Sequence, residues 1–370
     1  MCVTRTAPVR PAVPAPGGGT PAWISLILVL LMTPFFASAA SFVDPLDEVS
    51  AQMHDVTSKP LRDIVVAGER LVAVGDNGLI IYSDDHGQTW LQAAVPVSTD
   101  LNAVFFSDPL KGWAVGHGAA ILHSTGGGKS WVRQLDGRTL EALFVDYFEH
   151  RSGLDTERAQ SYLSALLSMT RPGPGQFFMG VWFDKAGTNG YAVGPFGLIL
   201  GTQDGGKTWQ PGNTSIDNDD LLHLTGVRQI EGALYITGER GRVWHLDQSS
   251  KRFVMGEVGY DGTLFGITGR DSTLLAYGLR GHVFRSIDAG RSWASVSNDF
   301  AAGITAGTAV DGSGLVLVSQ AAQVAISRDE GTTFELLDVP RPTLYTGVVS
   351  MTGGQLAMVG LNGVTTLQIQ

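Results

Sequence analysis

The sequence predicts an all-β fold, a seven-bladed β-propeller of four-stranded blades, from three observations. An eight-residue phrase, Ser83-Asp84-Asp85-His86-Gly87-Gln88-Thr89-Trp90 in its first copy, returns at 124–131, 202–209, 286–293 and, more loosely, 327–334. Turns of the form G-x-x-G begin at Gly75, Gly116, Gly194, Gly238, Gly278, Ser319 and Gly360, the copies at Gly116 and Ser319 being degenerate, spaced 41, 78, 44, 40, 41 and 41 residues apart. Short, alternating apolar runs flank every turn. A period near forty with four strand-like runs per unit is that of a propeller blade, and seven turns count seven blades.

The chain starts with a different kind of segment. Arg5 and Arg10 precede an apolar stretch from Ala22 to Phe36, followed by Ala37-Ser38-Ala39. A basic lead, a short apolar core and an A-x-A site predict a signal peptide over residues 1–39, and hence an exported protein in a periplasmic or thylakoid-lumen-like compartment. Its removal takes the formal charge from −10 to −12, because two arginines leave and no acid does. So acidic a chain is poorly suited to nucleic acid or anionic lipid. The only cysteine, Cys2, leaves as well, so no disulfide is expected and no lipid-accepting cysteine stands at the cleavage site.

Residues 40–370 then form the propeller. The last unit has sequence for only three strands, so residues 40–58 are expected to close the ring as the outer strand of the last blade, since an unshared seam leaves sheet edges open. In the second unit the predicted strands are Leu101–Phe106, Gly112–Val115, Ala120–Ser124 and Trp131–Leu135, separated by Asp108-Pro109 and glycine turns. The 78-residue interval holds an insertion over 136–174 between blades 2 and 3. There Leu140, Leu143, Phe144, Tyr147 and Phe148, and then Ala159, Tyr162, Leu163, Leu166 and Leu167, repeat at helical spacing. Thr139 and Asp155 are predicted N-caps, with Pro172-Gly173-Pro174 as the stop. The result is a helical hairpin on the face of the G-x-x-G turns, whose outer side is expected to offer an apolar surface to a partner helix.

The phrase itself has the chemistry of a tight turn. An Asp carboxylate accepts backbone N–H groups of its own loop, Gly takes a positive φ, and the Trp begins the outer strand and buries its ring. Asp85, Asp204, Asp288 and Asp329, with Trp90, Trp131, Trp209 and Trp293, are therefore read as structural. Blade 2 has Gly126 in place of the Asp, and blade 4 only His245–Phe253, which a catalytic role would not tolerate. Residues 201–208 match G-x-x-x-x-G-K-T, but Trp209-Gln210-Pro211 follow where a phosphate-binding loop needs a helix, so no nucleotide is expected. The eight histidines show no metal-ligand spacing, and neither metal nor cofactor is expected.

The phrase is similar to the Asp box (BNR-like repeat) of sialidases and of several unrelated propellers. The sialidase resemblance implies an alternative, a glycan hydrolase or carbohydrate-binding propeller, but the early Phe-Arg-Ile-Pro-type segment of those enzymes is missing, and no enzyme is expected. The units Val74–Trp90 and Gly278–Ser286 more closely resemble the photosystem II assembly and stability factor family. That resemblance implies an exported seven-bladed propeller that binds protein and assists a membrane complex without catalysing a reaction. It also implies an arginine-rich docking patch, for which Arg240 and Arg280 occupy one turn position in adjacent blades and Arg242 and Arg285 lie on nearby strands.

Overall fold

Each unit folds as an antiparallel meander whose strands pair in chain order. Blade 1 is β1 (Leu61–Ala67), β2 (Arg70–Gly75), β3 (Ile80–Ser83) and β4 (Leu91–Gln92). Blade 2 is β5 (Leu101–Phe106), β6 (Gly112–Gly116), β7 (Ile121–Ser124) and β8 (Val132–Leu135), within a residue of the expected runs. Blades 3 to 6 have inner strands β9 (Gly180–Phe183), β13 (Leu224–Ile230), β17 (Leu264–Arg270) and β21 (Ile304–Ala309). Their outer strands are β12 (Gln210–Pro211), β16 (Arg252–Glu257), β20 (Ala294–Val296) and β24 (Glu335–Leu337). Blade 7 is β25 (Tyr345–Met351), β26 (Gln355–Gly360) and β27 (Gly363–Gln368). This computed structural model describes residues 42–151, 153–170, 175–312 and 314–369. The predicted signal peptide and the Pro172-Gly173-Pro174 stop lie outside them.

The core is a series of interblade layers. Val72, Val74 and Ile80 of blade 1 pack with Leu101, Val104, Leu122 and Trp131 of blade 2, all buried. Blade 7 joins blade 1 in the same way, through Met351, Ala357 and Val359 against Leu61, Ile64 and Leu71. Each such side chain contributes about 1.5–3 kcal/mol by burial. The ring therefore closes by packing.

The expected closing strand is not formed. Residues 43–58 contain no strand, and among the described residues none pairs with the outer side of β27. Their backbone is used elsewhere. Ser50 N–H donates to Val95 O (3.1 Å), Pro45 O accepts from Ser98 N–H (2.8 Å), and Leu46 is buried against Gly118. The segment is a strap over blades 1 and 2, pinned where Asp47 meets Arg133 and Arg138.

A β-bulge recurs near the start of six inner strands, where the register slips after the first residue; β9 has none. The bulged residue bonds to the next blade. Arg62 donates to Asn102 Oδ1 (3.0 Å), Asn102 to Phe178 O (2.9 Å), and Thr225 to Leu264 O (2.6 Å). Thr305 donates to Tyr345 O (2.8 Å), and Thr346 returns the series to blade 1 at Leu61 O (2.8 Å). Phe265 at this position in β17 breaks the series, having no polar group to offer.

The insertion is the predicted helical hairpin, α1 (Leu140–His150) and α2 (Thr156–Thr170). Asp155 caps α2, accepting from Arg158 N–H (2.9 Å). Thr139 caps nothing; its hydroxyl donates to Asp136 O, and Asp136 accepts from Arg138 N–H in the turn before the helix. The apolar stripe does not face outward. Leu140, Phe144, Phe148, Tyr162 and Leu166 are buried in one layer with Trp113, Phe178, Leu198 and Trp209 of blades 2 and 3. The outer positions, among them Glu141, Asp146, Glu149, Gln160 and Ser164, are exposed and polar. The expectation of an apolar docking helix is corrected accordingly, because the blades themselves claim that stripe.

Candidate docking face

In a four-stranded meander, the turn between second and third strands and the connection to the next blade share a face. The structure shows this sharing directly: Gly118 O accepts from Gly137 N–H (2.7 Å) and Ala119 N–H donates to Gln176 O (2.7 Å), joining a G-x-x-G turn to both ends of the insertion. The first Gly of the turn is needed for close approach. A Cβ at Gly278 would sit 2.2 Å from Thr263 O, and one at Gly238 2.4 Å from His223 O. In blades 1 to 5 the third and fourth residues of the motif both have positive φ and form the central pair of a type I′ turn.

Two of those central residues are arginines. Arg240 (φ 52°) and Arg280 (φ 60°) stand in left-handed backbone that costs a residue with a Cβ about 1–2 kcal/mol. Arg240 is exposed and reaches Asp220 at 3.4 Å. Arg280 has no hydrogen-bond or ion-pair partner among the described residues. Tyr260 lies between the two turns, its hydroxyl donating to Leu279 O (3.3 Å) and its ring 4.6 Å from that of His282. One groove along, the Phe196 and His223 rings meet edge-on at 4.5 Å, and Phe196 is 53% exposed. Leu279 and Leu361 add further exposed apolar surface to the same turns.

The other predicted arginines do not join them. Arg242 opens β15 (Arg242–Asp247) and pairs with Glu257 on the neighbouring strand. Arg285, third in β19 (Val283–Ser286), lies toward the opposite face, where its Nε donates to Glu330 O (2.6 Å) in the next blade's Asp-box loop. The strand carries its residues from one face to the other, so position along it decides which face a side chain serves. Sequence reasoning missed the aromatic residues of the grooves, which no spacing rule marks, and the acidic counterweight in blade 1. There Asp76 and Asp100 hold Arg62 at 2.6 and 2.7 Å.

The connection into blade 4 links the hairpin to this face. Asp219 takes Arg158 at 3.0 Å and the Tyr162 hydroxyl, while Asp220 faces Arg240. Beside it a cleft of about 410 Å³ is lined by Asp155, Arg158, Tyr162, Asp219 and Leu221.

The Asp-box residues serve the turn. Asp85 accepts from Ser83 Oγ (2.8 Å) and Thr89 N–H (2.8 Å), and Ser83 Oγ accepts from Gly87 N–H (2.8 Å). Asp204, Asp288 and Asp329 repeat the pattern with Thr208, Ser292 and Thr333. These bonds, led by the hydroxyl and N–H of Thr89 and Thr208, hold the Asp85 and Asp204 carboxyls down to about 2. Trp131 and Trp209 are buried, Trp90 and Trp293 half-buried. Blade 4 substitutes Asp247, which accepts from Ser249 N–H (2.9 Å) and both neighbouring serine hydroxyls. Lys207 of the phosphate-loop-like run is an exposed residue of such a turn. Among the described residues no three His, Cys, Asp or Glu side chains are placed to hold a metal ion, and no helix is long and apolar enough to cross a membrane.

Seven blades with recurrent Asp-box turns make the chain similar in fold to the photosystem II assembly factors. The family model described as "Photosynthesis system II assembly factor YCF48" matches residues 49–141. The chain is 25% identical over 209 residues to the photosystem II assembly lipoprotein Ycf48 of Synechococcus sp. (strain CC9902). That match covers 52% of this chain and spans about half of the relative's length. Two solved structures share the fold. "YCF48 bound to D1 peptide" superposes with a TM-score of 0.61 at 18% identity, covering 87% of this chain and 100% of that one. YCF48 from Cyanidioschyzon merolae gives 0.60 at 16%, covering 86% and 97%.

Proposed function

We propose that this chain is an exported, non-catalytic propeller that binds a protein segment on its G-x-x-G face and so assists the assembly or stability of a membrane-associated complex. The observation that carries the reading is the Arg240/Arg280 pair. Both side chains are held at strained turn positions in adjacent blades of an acidic protein, and Arg280 has no hydrogen-bond or ion-pair partner among the described residues. Two cations beside the Tyr260/His282 and Phe196/His223 grooves suit an extended segment bearing a carboxylate and an aromatic or aliphatic side chain. A photosystem II subunit is the first candidate, since a similar propeller has been solved with a D1 peptide. The non-catalytic part of the reading is supported by the Asp-box carboxylates, which are committed to their own loops.

The test is a fluorescence-anisotropy titration of a labelled D1-derived peptide against the wild-type chain and the Arg240→Glu/Arg280→Glu double variant. Binding that weakens by at least about tenfold supports the face, since two charge-assisted contacts are inverted. Equal binding by both proteins overturns the docking face. No binding by either overturns D1 as partner.

A further inference from the structure

We propose that two copies of this chain pair through the outer edge of β27, joining their last blades into one continuous sheet. The first argument is a comparison within the molecule. Every propeller blade ends in an edge strand, and native edges are blunted by shortness, charge or proline. Six blades here obey that rule. β4, β12, β20 and β24 are two or three residues long, β12 also contains Pro211, and β8 and β16 carry Arg133, Arg252 and Glu257. β27 does not. It runs six residues, Gly-Val-Thr-Thr-Leu-Gln, with no charge and no proline. Its top is capped by the short turn at Val56–Ser58, since a Cβ at Gly363 would strike Thr57 O. From Val364 onward its outer side is uncovered among the described residues, and Thr366 and Gln368 are exposed.

The second argument fixes the occupant and its register. Ile369 N–H donates to Gly354 O, so odd-numbered residues of this strand bond to β26 and Val364, Thr366 and Gln368 point their backbone groups outward. An identical strand related by a two-fold axis perpendicular to the sheet runs antiparallel. Opposed residues must then project to the same side of the sheet, which requires the axis to pass through a residue. With the axis at Thr366, Thr366 meets its own copy, and each Val364 meets the other copy's Gln368. All three outward-facing residues are thereby used. For two chains of net charge −10, this uncharged strip is a place where they approach without opposing like charges. The pairing lies on the rim of the ring and leaves the G-x-x-G face open, so it does not rest on the docking reading.

Sedimentation velocity of the full chain across the micromolar range tests this. A concentration-dependent dimer is expected. Thr366→Pro, which removes an outward N–H and no internal bond, and Thr366→Lys should each weaken it by about tenfold or more without changing the thermal midpoint. In a Cys2→Ser background, Thr366→Cys should cross-link the copies on oxidation, because hydrogen-bonded antiparallel partners have Cα atoms about 5.5 Å apart, within disulfide reach. A chain that stays monomeric at every concentration overturns the proposal. So does a dimer that survives both Thr366→Pro and Thr366→Lys, or a monomer whose Val364, Thr366 and Gln368 amides are already protected from hydrogen exchange.

Discussion

Arg240 faces Asp220 across 3.4 Å, and the residue before that acid, Asp219, is gripped by Arg158 of the helical hairpin at 3.0 Å. The hairpin thus positions the carboxylate that partly neutralises one of the two turn arginines. Asp220→Asn removes that competitor while leaving the Asp219 contact in place. Peptide affinity is expected to rise about two- to fivefold, the scale of an exposed ion pair. Anisotropy titration at low salt reads this directly, and an unchanged or lower affinity would show that Asp220 does not compete for Arg240.

Thr346 closes the ring of bulge contacts by donating to Leu61 O, and it also lies 3.2 Å from Val359 O. Thr346→Val keeps the shape and leaves the Leu61 carbonyl without that donor. The expected loss is about 1–2 kcal/mol in urea unfolding, with Thr346→Ser restoring most of it. A Val variant as stable as wild type would mean that packing alone carries the seam between blades 7 and 1.

The Asp-box carboxyls set the acid limb of stability. Asp85, Asp204 and Asp329 are held at about 2, below the usual 3.8, by hydroxyl and N–H donors of their own turns. A depressed folded pKa gives stability that is present above the unfolded value and lost as pH falls through the folded one. The urea midpoint should therefore drop steeply between about pH 4 and 2. Asp85→Ala and Asp204→Ala should flatten that drop; a drop equally steep in both variants would assign it to other groups.

Asp63 has the opposite sign. Its carboxyl, crowded among the inner strands, is pushed up to about 6 by burial, against the Val104 and Ile64 N–H donors and the charge of Arg228. A raised folded pKa makes its contribution most favourable below the unfolded value of 3.8 and diminishes it as pH rises to about 6. Burial lowers His117 and His123, whose contributions run the other way in an overlapping range, so a site-resolved readout is needed. Carbon NMR of the Asp63 carboxyl should titrate with a midpoint about two units above that of an exposed Asp. A midpoint near 4 would show the inner strands to be well hydrated there.

Much of the architecture was legible because it repeats. The G-x-x-G spacing counted the blades, and the strands of blade 2 fell within a residue of expectation. The bulge contacts were not legible, since one extra residue per strand leaves the alternation readable and changes only which side chain turns toward the next blade. The closing strand failed because residues 45–53 bond to blades 1 and 2, a choice set by partners distant in sequence, and Ser58 closes a turn onto Asp55 instead of pairing with β27. Helical periodicity found the hairpin and its apolar stripe, but the stripe itself does not say whether blade or partner covers it. For the candidate site, turn alignment placed Arg240 and Arg280 at one turn position in adjacent blades; Arg285 serves the opposite face because proximity in sequence ignores the direction in which a strand crosses the disc, and Arg242, beside the turn, pairs with Glu257.

The left-handed turn positions have a bearing beyond this molecule. Blades 1 and 2 fill the same position with Asn77 and Gly118, residue types at ease in that backbone, whereas blades 4 and 5 fill it with arginine. Mutation toward glycine or asparagine at Arg240 and Arg280 would relax the turn, so the backbone's own preference runs against the arginines at both sites. A propeller of this kind with glycine or asparagine at both sites would gain turn stability and lose both cations in the same step.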